Sequence, residues 1–336
     1  MNKTAAITLI IPRGRGGVAD YTDKLITNLA AEKMAVALVW HADLENDLVR
    51  SSLSSECLYL QYSGYGYAKR GAPLWLLNKL QIDRPSIKTL GVFFHELYAF
   101  GPPWGSAFWL SPAQRHIARR VVEISDFWIT SREGSAQWLR RFSGKKPHAV
   151  LPVFSNVGEM QAYSSERAPK IVVFGSAGLR MATYRAVGEA LFSWARDRGL
   201  ELHDIGPAID QPSISAILKR AGVIEHGRLE SAEVSKILAD AAFGILSYPV
   251  DYVAKSGVFA AYCAHGVCPI LVSKHYAPSD RLMMGTHYLA GLPLGAIQHS
   301  MVRNIGSAAW NWYQPHRIIA HVDTLKRLLS EAGAVC

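Results

Sequence analysis

Residues 8–29, TLIIPRGRGGVADYTDKLITNL, limit the fold more than any other stretch. The apolar run 7–11 has the length and composition of a buried strand. Pro12 ends it, having no N–H to give to a sheet ladder. Arg13, Gly14, Arg15, Gly16 and Gly17 follow, and glycines let a backbone turn sharply and approach a ligand closely. Asp20 and Thr22 are candidate caps for a helix whose buried side carries Leu25, Ile26 and Leu29. Strand, glycine turn and helix start together offer N–H groups and a helix dipole to an anion. A plain βα turn with solvated arginines reads the same way. The spacing is not G-x-x-x-x-G-K-[ST], which disfavours a P-loop nucleoside triphosphatase.

The same rhythm begins again at Lys170. Strands are expected at 35–40, 57–62, 89–94, 126–130 and 148–152, with a glycine-broken loop at 63–67. Helices are expected at 74–80 and from Pro112 to Ile124, the latter with Ser111 as N-cap and Pro112 at its first position. Residues 155–169 are polar and poor in aliphatics, as a linker would be. Then come a strand at 170–174, a second glycine turn at 175–178 and a helix at 183–198. Further strands are expected at 201–205, 223–228, 242–246 and 267–272. A helix at 255–265 ends at Gly266, which suits left-handed capping. Alternating strands and helices predict parallel sheets covered on both faces. The domains expected are 1–155, a linker at 156–169, a second domain at 170–310, and a final helix within 311–336 that can cross back to the first domain.

With 49% hydrophobic and 19% charged residues in 336, the chain reads as globular rather than disordered. Its net charge of +9 suits an anionic partner without choosing among nucleotide, phospholipid surface, polyanionic glycan and nucleic acid. No RRM, KH or OB signature appears, so nucleic acid is not expected. Cys57, Cys263, Cys268 and Cys336 lack CxxC spacing, and Cys263 and Cys268 lie in an apolar run as small core residues. No signal-peptide pattern and no membrane-spanning run is evident, so a cytoplasmic location is expected, with the inner membrane face as an alternative.

Several segments carry a resemblance: GGVADYTDKLITNL, VFFHELYAF, ISDFWITSREGSAQWL, GRLESAEVSKILADAAFGILSYP and SGVFAAYCAHGVCPIL. Together they resemble GT-B fold glycosyltransferases, in particular the nucleotide-sugar-dependent family 4 type. The resemblance implies an α/β chain of GT-B architecture, two Rossmann-like domains with a cleft between them. The first domain would take the acceptor and the second the donor.

By that resemblance Gly16 and Gly17 lie near the donor phosphates and sugar, and His95 touches the transferred sugar. Ser256 and Gly257 start a helix whose N–H groups face the diphosphate, and Arg228 and Leu229 meet the nucleotide base. The second glycine turn supplies Gly175 and Ser176. Arg180 and Lys255 are the counter-charges for the leaving diphosphate. The family's donor helix carries two glutamates eight positions apart; here those positions hold Val253 and Ala261. Asp251 is the nearest substitute for a sugar contact, with a turn residue as the alternative reading.

Glu96 is either an acceptor-hydroxyl contact or a solvated carboxylate. Tyr62, Tyr65, Tyr67, Trp104 and Trp109 form a candidate acceptor surface, or inter-domain packing. Arg119, Arg120, Arg140 and Arg141 are solvated helix faces or a dock for anionic lipid. The expected activity is sugar transfer from a nucleoside-diphosphate sugar to a glycan or lipid-linked acceptor in surface-polysaccharide synthesis, with retention, no metal and no redox cofactor. The alternative is a non-catalytic binding or scaffolding protein with a degenerate donor site.

Overall fold

A computed structural model describes residues 7–12, 16–40, 57–99, 101 and 104–334. Arg13, Gly14 and Arg15 of the first glycine turn lie outside the described residues. The chain divides into two compact units, Met1–Pro152 with Ile318–Cys336, and Val153–Arg317.

The first unit holds strands β1 (Ile7–Ile11), β2 (Val36–Trp40), β3 (Cys57–Tyr62), β4 (Thr89–Phe94), β5 (Phe127–Thr130) and β6 (His148–Val150). Its helices are α1 (Gly17–Ala31), α2 (Gly64–Tyr67), α3 (Leu74–Asp83), α4 (Ser106–Ile124) and α5 (Glu133–Ser143). The second unit holds β7 (Ala168–Phe174), β8 (Glu201–Ile205), β9 (Ile224–Gly227), β10 (Ala241–Ser247), β11 (Cys268–Val272) and β12 (Leu289–Ala290). Its helices are α6 (Ala177–Val187), α7 (Ala190–Arg196), α8 (Pro212–Arg220), α9 (Ser231–Asp240), α10 (Gly257–Ala264) and α11 (His299–Tyr313). The final helix, α12 (Ile318–Glu331), belongs to the first unit.

Each unit is built on one six-stranded parallel sheet. Strands β1, β3 and β4 are buried along their whole length, which is why they read as near-continuous apolar runs, interrupted only by Thr8, Gln61 and Thr89. The first sheet runs β2-β1-β3-β4-β5-β6, the second β12-β11-β10-β7-β8-β9. The second is therefore a doubly wound Rossmann order, with its first strand, β7, beside its fourth, β10. The winding reverses between those two strands, and the crevice at their C-terminal ends is where such sheets take ligands.

The structure differs from the sequence reading in several elements. Residues 64–67 form the short helix α2, and Gly66 packs so tightly on Pro12 that a Cβ would overlap the proline ring. Ser111 is buried inside α4, which starts after Gly105 and contains Pro112. Proline removes the donor for the carbonyl of Phe108, but Phe108 is exposed and water can replace that bond. The helix expected at 183–198 is two helices, parted at Gly188 where φ is 58°. The helix expected at 255–265 is a 3-10 turn, Val250–Lys255, followed by α10. Asp20 lies in the first turn of α1 and the buried Thr22 donates its hydroxyl to the Val18 carbonyl at 2.8 Å; neither caps the helix.

In the stretch read as polar linker, 155–169, Val157 is buried and the Ser155 N–H donates to the Tyr313 hydroxyl at 2.8 Å. Helix α12 is fixed within the first unit by His321, which bonds the Tyr21 hydroxyl (2.9 Å) and the Pro152 carbonyl (3.0 Å). Among the described residues no helix is long and apolar enough to cross a membrane.

Candidate functional site

In the second unit, β7 runs into Gly175, which adopts φ 129°. Its N–H donates to the Ile205 carbonyl at 3.1 Å. A Cβ here would stand 3.0 Å from Val258 Cγ2 and 3.1 Å from Leu179 Cδ2, so only glycine fits without displacement. Ser176 then caps α6, its hydroxyl oxygen accepting from the Leu179 N–H at 3.3 Å.

Strand β10 ends at Ser247, and the 3-10 turn Val250–Lys255 leads to Ser256. Ser256 is buried and caps α10, accepting from the Phe259 N–H at 3.2 Å. The contact of Gly175 with Val258 therefore brings two capped helix N-termini together over the strand pair where the winding reverses. The first N–H groups of a helix have no intrahelical acceptor, and both dipoles turn their positive ends here. Gly257 lies on the first turn of α10, with Asn156 Nδ2 3.5 Å from where its Cβ would be. The Lys255 ammonium lies 5.4 Å from the Tyr252 ring centre, on the segment entering α10. Asp251 is exposed on the same 3-10 turn. Val253 and Ala261 are fully buried, so apolar packing occupies the positions the resemblance gives to glutamates.

Arg180 is placed otherwise than as a free counter-charge. It is 2% exposed, paired with the Asp204 carboxylate, and donates to the carbonyls of Pro207 and Gly175. Its charge is already matched, and it braces the turns after β7 and β8. Asp204 also accepts from the Tyr184 hydroxyl at 2.7 Å. Burial raises the Asp204 pKa, while Tyr184 and Arg180 pull it down. Gly206 completes the brace: a Cβ there would overlap the Gly175 carbonyl and the Arg180 guanidinium.

Beside this brace lies a pocket of about 450 Å³ lined by Arg180, Asp204, Gly206, Ala208, Ile209, Glu225, His226 and Gly227. His226 stacks on His203, with His226 Nε2 2.9 Å from His203 Nδ1. His203 Nε2 lies 3.2 Å from the Glu201 carboxylate. Burial, then the neighbouring His203, lower the His226 pKa and favour the neutral ring. Arg228 is exposed and Leu229 half-buried immediately after Gly227, at the rim of this pocket.

In the first unit, Gly16 caps α1 and Gly17 opens it, both exposed. His95 follows β4, stacked on Phe93 (4.3 Å between ring centres) and edge-on to Tyr21 of α1 (5.2 Å). His95 Nε2 lies 2.9 Å from the Gln61 side-chain oxygen, and the Gln61 amide nitrogen is buried with no hydrogen-bond partner among the described residues. Glu96 accepts from the Ser63 hydroxyl at 3.3 Å.

The sequence-predicted residues thus form separate groups. Gly175, Ser176, Ser256 and Gly257 meet, with Lys255 adjoining; Arg228 and Leu229 border the pocket; Gly16, Gly17 and His95 belong to the first unit. Sequence reasoning missed Asp204, Tyr184, His203, His226, Asn156 and Gln61. Only the Gly206-Pro207 turn marked the end of β8 beside Asp204, and no local pattern marked the others.

No family model and no curated protein matches the chain. Solved structures do. Sucrose-phosphate synthase from Thermosynechococcus elongatus aligns over 97% of this chain and 99% of its own, at 13% identity and TM-score 0.64. A protein assigned as a UDP-N-acetylglucosamine 2-epimerase from Listeria monocytogenes aligns over 99% of both chains, at 12% identity and TM-score 0.63. A glycosyltransferase involved in avilamycin A biosynthesis aligns over 97% and 98%, at 12% identity and TM-score 0.52. At such identities the likeness carries the fold. The chain has the GT-B fold, with two Rossmann-like domains.

Proposed function

We propose that the protein is a glycosyltransferase that takes its sugar from a nucleoside-diphosphate sugar. The observation that carries this reading is the meeting of the Ser176 and Ser256 helix starts through the Gly175–Val258 contact. That geometry suits a diphosphate, whose charge grows as transfer proceeds. In the reaction an acceptor hydroxyl oxygen bonds to C1 of the sugar. The C1–O bond to the β-phosphate breaks and its electron pair leaves on the diphosphate, which takes up the hydroxyl proton. The N–H groups of α10 and the Lys255 ammonium stabilise the leaving charge. Asp251 accepts from a sugar hydroxyl, and His95 contacts the transferred sugar. Arg228, Leu229 and the pocket beside them receive the nucleoside.

The acceptor is a glycan or lipid-linked glycan of surface-polysaccharide type. Peripheral contact with an anionic membrane belongs to the same reading, as do retention of configuration and independence of metal. The experiment is release of nucleoside diphosphate from a panel of nucleotide sugars, with and without lipid-linked and glycan acceptors. Acceptor-dependent release supports transfer. Acceptor-independent release counts against it and towards chemistry on the donor alone.

The buried Val253 and Ala261 favour a second reading, a binding protein that has lost turnover. Diphosphate binding without release from any donor would identify it.

A further inference from the structure

Residues 101–150 hold eight Lys/Arg against three Asp/Glu, more than half of the net charge of the whole chain. They include α4, whose exposed side mixes aromatic rings and arginines. Phe108, Pro112, Arg115 and Arg119 recur at helical spacing along it, flanked by Trp109, His116 and Arg120. From Phe108 to Arg120 this arc is about 18 Å long. Trp104, just ahead of α4, is 88% exposed, and Trp109 is 72% exposed. The guanidinium groups lie over rings of the neighbouring segments: the Arg115 Cζ is 4.4 Å from the Tyr98 ring centre and the Arg119 Cζ is 5.0 Å from that of Phe142. Glu123 pairs with both Arg119 (2.7 Å) and Arg120 (2.5 Å), one carboxylate against two guanidinium groups.

An indole exposed to this degree is poorly placed in water and well placed where hydrocarbon meets headgroups. A guanidinium lying over a ring keeps its in-plane N–H donors at the edge, where lipid phosphates can accept from them. We infer that this face of α4, with Trp104, docks the protein on an anionic lipid bilayer. The inference rests on the lipid-linked-acceptor reading only for its purpose, because docking needs neither donor nor acceptor. RNA would satisfy the cations, but the aromatic end of the arc calls for a medium that dissolves indole rings.

The test is cosedimentation of the full chain with vesicles of phosphatidylcholine alone, and of equal parts phosphatidylcholine and phosphatidylglycerol, at low and high salt. Binding is expected to the anionic vesicles and to weaken as salt rises. Arg115→Glu/Arg119→Glu should weaken it by at least about 30-fold, and Trp104→Ser/Trp109→Ser by about tenfold. Arg196→Glu, on the second unit, should leave it unchanged, and circular dichroism identifies any variant that fails to fold. No binding to anionic vesicles overturns the inference, as does equal binding by folded variants of α4. Retention of a uridine-rich RNA that the α4 variants lose, without vesicle binding, assigns the surface to nucleic acid and also overturns it. Nucleotide binding is measured apart, so failure of either reading leaves the other testable.

Discussion

Asp204→Asn isolates the brace behind the candidate donor site. The substitution keeps the size of the side chain and removes its charge, leaving the Arg180 guanidinium with no anion. Both side chains are almost wholly buried, and arginine does not escape by losing its proton. An uncompensated buried charge costs about 3–5 kcal/mol. For a unit of this size that corresponds to a fall in melting temperature of about 6–20 °C. The double variant Arg180→Met/Asp204→Asn removes the cation as well and should recover at least about 1 kcal/mol relative to Asp204→Asn alone. Urea unfolding of wild type, both singles and the double measures the cycle. If Asp204→Asn stays within about 1 kcal/mol of wild type, the charge is not closed from water as described, and Arg180 returns as a candidate counter-charge for the diphosphate.

Lys255→Ala should weaken diphosphate affinity about tenfold at unchanged stability, measured by titration calorimetry, since it removes a cation at the start of α10 without emptying the core. Gln61→Leu should lower turnover about tenfold or more with little change in diphosphate affinity, because His95 loses the acceptor at its Nε2. His316 is lowered to about 4, by burial and then by Arg281. The unfolded ring binds protons from about pH 6.5 and the folded ring resists, so stability held above pH 6.5 should fall by about 3 kcal/mol on reaching pH 4 and level off below. Urea unfolding across that range, with His316→Phe lacking this component, checks the sign.

The strand–turn–helix rhythm was legible because buried parallel strands are near-continuous apolar runs and glycine turns punctuate them. Ser176 and Ser256 came from the second glycine turn and the resemblance; their capping roles appear only in the structure, because the helices expected at 183–198 and 255–265 begin elsewhere. What was illegible depends on partners distant in sequence. The resemblance makes Arg180 a counter-charge for the diphosphate. Only the sheet, by setting β8 beside β7, brings Asp204 to it and turns it inward. The His203–His226 stack likewise forms across the pairing of β8 with β9, and Asn156 reaches Gly257 only through the return of the chain after β6. Pro112 misled by its usual preference for a first turn, because the exposed aromatics ahead of it gave no sign that the helix had already begun.

The central claim is that the start of α10 binds the diphosphate. Gly257 tests it directly, since a Cβ there meets nothing closer than Asn156 Nδ2 at 3.5 Å and a glutamate suits a first helical turn. The measurement is calorimetric titration of UDP, GDP, ADP and dTDP into wild type and Gly257→Glu. The account predicts that one diphosphate binds wild type and that the variant, equally stable, binds it about 100-fold more weakly through charge repulsion. No binding of any diphosphate to wild type, or equal binding by the variant, would contradict it.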